Sequence, residues 1–293
     1  MNCGLVRDEL FKLGIKYTEN LKINEIRNKD GIYLYNIKNF NESYVLKYFD
    51  KKKHSVEIDN YKLLNDIGVD TIKIFDMTEN SILMEDLNTS NKLRLATKYD
   101  ISKEEVGVAL AQWYLNLHSK GEIYIKDNKE NTYLKREIDE INEKNIKNII
   151  SKSDKKELWD FILENLYRVN EKINQMDETI NYNDFYWTNF AVSRDVKRAV
   201  VFDYNMMGKG FRYNDVRNVS VSLEGIARES FLEAYGKCNE IEKIIDKPMS
   251  CIFDLIAAYK REVFPNWGQE SLEKVNNGEL ERDFRNMLEA LSC

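Results

Sequence analysis

The spacing of apolar positions changes period part-way along this chain, and the change divides it in two. The first twenty residues carry Leu5, Leu10, Phe11 and Leu13 at roughly helical spacing. LKINEIRN, GIYLYNI and ESYVLKYF then read as three strands, with hairpin turns at Asp30-Gly31 and near Asn41. A helical stretch opening at Glu57, with Tyr61 and Leu64 on one face, separates them from two further strands, TIKIFDMTEN and SILMEDL. This pattern predicts a small five-stranded antiparallel lobe over residues 1–88, with its boundary between Leu87 and Asn91.

Past that boundary the period turns helical. Ser102 followed by Glu105 reads as a capping box, and Val106, Leu110, Trp113, Tyr114 and Leu117 form one buried stripe ending at Gly121. Residues 134–150 and 155–176 read as two amphipathic helices, the second with Leu158, Phe161, Ile162 and Leu166 inward. NYND reads as the end of a strand and FAVSRDVKRAVVFDY as a tight hairpin. The tail from Asp215 reads as three or four helices broken by Pro248 and Pro265. The expected fold class is α+β, with a larger, mostly helical lobe over residues 89–293.

Composition narrows the function classes. With 43% apolar residues in 293, each lobe can have its own core. No run of eighteen apolar residues occurs and the first residues are too charged for a signal peptide, so a cytoplasmic protein without a membrane partner is expected. A net charge of −6 gives no footprint for nucleic acid, and the basic triplet Lys51 to Lys53 reads as a solvated turn. Cys3, Cys238, Cys251 and Cys293 lack metal-ligand spacing and are expected to be free thiols. Two histidines, His54 and His118, are too few for a zinc site.

Candidate chemistry centres on Asp184 and Asn189, five residues apart, and Asp203, fourteen residues further on. Phosphoryl transfer needs a carboxylate to orient the attacking hydroxyl and oxygen ligands to hold Mg²⁺ against nucleotide phosphates, and these three residues could supply both. An acid and an asparagine at that spacing recur by chance, so the weight lies in what precedes them. Lys47, in the strand YVLKYF, can reach the α and β phosphates, Glu57 can hold it there, and SILMEDL ends in a segment whose backbone at Glu85, Asp86 and Leu87 can bond a purine ring. The order is lysine, glutamate, hinge, aspartate, asparagine, aspartate. His118, ending an apolar helix, reads as a packed residue, and Tyr186 and Trp187 read either as core or as substrate contacts.

From about residue 20 to residue 225, including ALAQWYLNLHSKG, the chain resembles the aminoglycoside phosphotransferase and choline kinase superfamily, whose bilobal fold is a variant of the protein kinase fold. The resemblance implies ATP or GTP with Mg²⁺ as cofactors and a small hydroxyl-bearing acceptor. It makes Lys47 the phosphate lysine, Glu57 its partner, Glu85 to Leu87 the hinge, Asp184 the catalytic base, and Asn189 and Asp203 the metal ligands. Asp215 matches an aspartate that braces the catalytic loop and opens the next helix.

Two departures stand out. Tyr182-Asn183-Asp184 replaces the usual His-Gly-Asp, and the loop IRNKDGIYLY has the single glycine Gly31, which points to the small-molecule branch. Acids in the tail, Glu224, Glu229, Glu233, Asp254, Glu262, Glu270 and Glu273, are expected to be solvated for the most part, with one or two favouring a cationic acceptor such as an aminoglycoside. Metabolite kinases of choline, ethanolamine or homoserine type are the alternative within enzymes. A non-catalytic, kinase-like nucleotide-binding protein is the alternative outside them.

Overall fold

The structure, a computed structural model, describes residues 3–129 and 132–292. In chain order the first elements are α1 (Cys3–Lys12), β1 (Lys22–Lys29), β2 (Ile32–Asn39), β3 (Glu42–Phe49), α2 (Val56–Asp66), β4 (Ile74–Met77), β5 (Ser81–Glu85), β6 (Leu93–Leu95) and α3 (Glu104–Asp127). They are followed by α4 (Glu143–Ile150), α5 (Lys156–Ile173), β7 (Thr179–Asn181), β8 (Phe190–Ser193), β9 (Ala199–Val201), β10 (Gly208–Gly210), α6 (Arg212–Ser222), α7 (Gly225–Tyr235), α8 (Glu240–Tyr259), α9 (Gln269–Asn276) and α10 (Glu279–Ala290). The residues fall into two compact units: Met1–Lys120 with Tyr182–Met207 and Asn218–Gly236, and Gly121–Asn181 with Gly208–Arg217 and Lys237–Cys293.

In the first unit the five expected strands form one antiparallel sheet in the order β1-β2-β3-β5-β4. Alternation along β3 divides its side chains between two environments. Tyr44 and Leu46 join Tyr35, Ile37 and Leu83 in a core cluster with Val6, Leu10 and Leu13 of the N-terminal segment. Val45 and Lys47 therefore project from the opposite face. The N-terminal helix differs from its expected face, because Leu5 and Phe11 are exposed and Val6 takes the inward position. Val6, Leu10 and Leu13 recur at the four- and three-residue steps of a helix, whereas Phe11 falls off that stripe. Glu9 shares the buried face and accepts hydrogen bonds from Thr78 Oγ1 (2.6 Å) and Ser81 Oγ (2.8 Å). The β1–β2 turn places Asp30 and Gly31 at φ of 57° and 88°, and a Cβ on Gly31 would run into the Asp50 carboxylate.

Ser102 does not cap α3. Its hydroxyl bonds the Tyr99 carbonyl in a short 3₁₀ turn, and α3 starts two residues later. The stripe Val106, Leu110, Trp113, Tyr114 and Leu117 is buried as expected. The helix does not stop at Gly121, where the missing side chain serves close packing: a Cβ would lie 2.6 Å from the Ile180 amide nitrogen. The hairpin β8–β9 forms as read, and β6, a strand the sequence pattern did not announce, pairs with β8.

The second unit is built around Trp159, Ile162, Val169, Ile252, Phe284 and Met287. The stretch expected as a helix over 134–150 holds a 3₁₀ turn at Glu137–Glu140 before α4, whose start is capped by the Asn142 side chain accepting from the Asn145 amide. Pro248 lies inside α8 without ending it. One helix hydrogen bond is lost there, and burial of the flanking Ile245, Met249 and Ile252 carries the helix through. No helix among the described residues is long and apolar enough to cross a membrane. Cys238 and Cys251 are free thiols, and the side chains of Cys3 and Cys293 lie outside the described ones.

Candidate active site

The eight residues expected to act as base, metal ligands and nucleotide contacts fall in the first unit, and Asp215 falls in the second. Lys47 is buried, and its Nζ lies 2.5 Å from Glu57 Oε2 and 2.7 Å from Asp203 Oδ1. Burial opposes the ammonium charge, but the two carboxylates outweigh it and hold the Lys47 pKa above the ordinary lysine value. Glu57 is completely buried, and desolvation, only partly offset by Lys47, pushes its carboxyl up to about 7.

Helix α2 explains why these groups meet. Glu57, Asn60, Tyr61 and Leu64 share its buried face at three- and four-residue steps. Asn60 Nδ2 donates to the Tyr204 carbonyl at 2.7 Å, and the Tyr61 and Tyr204 rings pack edge to face at 4.7 Å. The helix that carries Glu57 is thus docked onto the turn that carries Asp203. At that turn the chain leaves β9 and Asp203 adopts φ 69°, ψ 66°, a left-handed conformation that redirects its side chain.

The segment Tyr182–Asn189 supplies the other two groups. Asn189 Nδ2 donates to Asp184 Oδ2 (3.2 Å) and to the Asp184 carbonyl (3.1 Å). Asp184 is half-buried; desolvation, reinforced by the Asp203 charge and opposed by Lys47, pushes its carboxyl up to about 6. Tyr182, with no exposed surface, donates from its hydroxyl to the Phe202 carbonyl at 2.6 Å, next to Asp203. Asn183 holds φ 66°, where a glycine is at ease and asparagine is among the best tolerated substitutes. Both departures from His-Gly-Asp therefore have a structural counterpart.

The donor set suits Mg²⁺. Asp184 and Asp203 interact unfavourably as carboxylates, and the Asn189 amide nitrogen faces Asp184, so its Oδ1, which accepts from the Thr188 hydroxyl at 3.1 Å, is the side-chain oxygen turned away from Asp184 that could meet a hard cation. Among the described residues no group of three or more His, Cys, Asp or Glu side chains is arranged for a metal, so an ion here would rest on Asp203 and the Asn189 amide oxygen.

The hinge is held by its own side chains. The Asp86 carboxylate is buried and accepts from Asn36 Nδ2 (2.8 Å), Ser43 Oγ (2.7 Å) and the Asn88 amide (3.0 Å), while the Asp86 carbonyl accepts from the Thr89 and Ser90 amides. Burial opposes these bonds, but together they draw the Asp86 pKa below the ordinary value. Glu85 Oε1 accepts from the Lys73 amide. The side chains of Glu85 and Asp86 are thus committed to the fold, which leaves backbone groups for a ligand.

His118 is a packed residue, fully buried and 2.7 Å from the Tyr235 hydroxyl. Asp215 lies in the first turn of α6 and is fully buried; the start of that helix is closed by Asn214, whose Oδ1 accepts from the Phe211 amide. Among the tail acids, Asp254 is half-buried and the others are exposed. The second unit also holds acids the sequence reading did not single out: Asp246, buried and 2.7 Å from Arg217 Nε, and the partly buried Glu137, whose carboxyl desolvation pushes up to about 7. For Asp246 the signal was its four-residue spacing from Glu242 along α8.

No family model matches the chain, and no curated protein is a significant match. Solved structures do match. The choline kinase LicA from Streptococcus pneumoniae is similar at 17% identity and a TM-score of 0.64, covering 95% of this chain and 98% of its own. The macrolide 2'-phosphotransferase MphH from Brachybacterium faecium is similar at 12% identity and 0.56, covering 92% and 97%. Spectinomycin phosphotransferase, solved with ADP and spectinomycin, is similar at 14% and 0.57, covering 97% and 93%. The α+β, protein-kinase-like fold expected from the sequence is the one found.

Proposed function

We propose that this protein is an ATP- or GTP-dependent small-molecule kinase that phosphorylates a hydroxyl group. The observation that carries the reading is the arrangement inside one unit of Lys47, ion-paired to both Glu57 and Asp203, and of Asp184 hydrogen-bonded to Asn189. Each element of the phosphoryl-transfer machinery has a residue, and neighbours of the same fold are phosphotransferases, one of them solved with a nucleotide.

Lys47, kept charged by its two carboxylates, holds the α and β phosphates. Asp203 and the Asn189 Oδ1 would hold Mg²⁺, which would supply positive charge against the phosphates. The hinge backbone from Glu85 to Leu87 takes the base. Asp184 orients the acceptor hydroxyl and receives its proton as the acceptor oxygen bonds the γ-phosphorus and the bond to the β-phosphate oxygen breaks. Its elevated pKa brings it closer to the range in which a base works at neutral pH. The protein supplies position and charge more than covalent chemistry. A cationic, amine-bearing acceptor in the cytoplasm fits the net charge of −6.

A Mg²⁺-dependent thermal shift with ATP and GTP, followed by nucleotide consumption over amine alcohols, aminoglycosides, neutral sugars and anionic metabolites, tests the reading. Magnesium-dependent stabilisation and turnover of an amine-bearing hydroxyl compound are expected. Nucleotide binding without turnover of any acceptor would favour the non-catalytic alternative.

A further inference from the structure

Asparagine is seldom placed on the buried face of a helix, yet Asn60 has no exposed surface and stands between Glu57 and Leu64 on the inward face of α2. What it meets there is main chain: its Nδ2 donates at 2.7 Å to the carbonyl of Tyr204, the residue that follows Asp203. The same carbonyl closes the 3₁₀ turn Tyr204–Met206 by accepting from the Met207 amide at 3.2 Å, so the helix side chain makes the shorter of these two bonds.

Asp203 needs such support. It holds φ 69°, ψ 66°, a conformation that persists in a residue other than glycine only where its surroundings fix it. On the β9 side the Phe202 amide donates to the Asn189 carbonyl at 2.9 Å. On the far side α2 holds Tyr204 through Asn60 and the Tyr61 ring.

These contacts close a ring. Lys47 joins Glu57 (2.5 Å) to Asp203 (2.7 Å), the peptide joins Asp203 to Tyr204, Asn60 joins Tyr204 to α2, and a turn of helix returns to Glu57. The Lys47 contact is the one a nucleotide competes for, because an ammonium drawn to phosphate loosens its hold on Asp203. The Asn60 bond runs from an uncharged side chain to main chain, so a nucleotide leaves it in place.

Resting on the kinase reading, we propose that Asn60 is a positioning residue, whose bond to the Tyr204 carbonyl keeps the Asp203 carboxylate placed for the metal when Lys47 turns to the phosphates. The test reads metal binding, with Mn²⁺ as the probe, followed by electron paramagnetic resonance in the presence of ADP, beside calorimetry of ADP without metal. Wild-type protein takes up Mn²⁺ with ADP. Asn60→Leu and the smaller Asn60→Ala, which both remove the donor, weaken Mn²⁺ binding about tenfold and keep metal-free ADP affinity within about twofold. Leu64→Ala, on the same buried face, lowers the melting temperature and leaves Mn²⁺ affinity at the wild-type value. Wild-type Mn²⁺ affinity in a folded Asn60 variant, or an equal loss in Leu64→Ala, would overturn the proposal while the kinase reading stands. Absence of ADP-dependent Mn²⁺ uptake by the wild type would sink the kinase reading and the proposal with it.

Discussion

The Tyr182 hydroxyl donates to the Phe202 carbonyl at 2.6 Å, and this bond fastens the segment that carries Asp184 to the one that carries Asp203. Its hydroxyl also lies within hydrogen-bonding reach of the Asn189 side chain. The tyrosine thus ties the loop with a packed ring and one polar tip. Tyr182→Phe leaves the ring in place and orphans a carbonyl oxygen, a loss of about 1–3 kcal/mol in urea unfolding. The Mg²⁺ concentration needed for half-maximal nucleotide binding should rise at the same time, and Tyr182→His should restore part of it. A lower melting temperature with an unchanged Mg²⁺ titration would reduce Tyr182 to a core residue.

Asn183 tests the same loop through its backbone. At φ 66° a glycine relieves the steric cost, while a β-branched side chain increases it. Asn183→Gly should stay within about 0.5 kcal/mol of wild type, and Asn183→Val should lose about 1–3 kcal/mol. Equal stabilities in chemical denaturation would show that the loop does not hold this conformation in solution.

What the sequence disclosed was set by periodicity and spacing. Strands β2 and β3 and the stripe Val106 to Leu117 were legible because a buried face leaves its period in the letters, whereas β1 is exposed almost throughout and β5 is buried on both faces, so these were read from strand-forming residues between turns. Lys47, Glu57, Asp184, Asn189 and Asp203 were chosen by order and chemistry, and the structure pairs Lys47 with Glu57 and Asp203 and Asn189 with Asp184. The three-residue strand β6 was not legible, since Leu93-Arg94-Leu95 is too short to show a period and owes its state to pairing with β8. Nor was the role of Asp86, whose side chain is fixed by Asn36 and Ser43 from distant strands. The exposure of Phe11 followed from a single off-stripe position, and Gly121 punctuates nothing because its neighbour in space is Ile180.

The hinge yields a backbone prediction. The side chains of Glu85 and Asp86 are committed to Lys73, Asn36, Ser43 and Asn88, so the proposed purine site would draw on main-chain groups. Leu87→Pro removes one N–H and should weaken ATP binding about tenfold or more in calorimetry, whereas Glu85→Gln should change it little. Full ATP affinity in a folded Leu87→Pro protein would place the base elsewhere.

The last prediction separates the two aspartates by charge and by proton. Burial and the Asp203 carboxylate push Asp184 up to about 6, so without metal it should titrate well above the ordinary carboxylate range in ¹³C NMR. Because the folded protein holds this proton more tightly than the unfolded chain, this group's contribution to stability falls as pH rises from the unfolded value through about 6. Added Mg²⁺ should lower the midpoint, and the acid limb of activity should follow it downward. Asp203→Ala removes the repelling charge and the proposed metal ligand together, so it should lower the Asp184 midpoint, abolish turnover and weaken Mg-ATP binding. Asp184→Asn removes the base and one of two like charges, so it should abolish turnover yet leave Mg-ATP binding within about threefold. Retained turnover in either variant, or an Asp184 midpoint indifferent to Asp203, would break the assignment of a base beside a metal carboxylate.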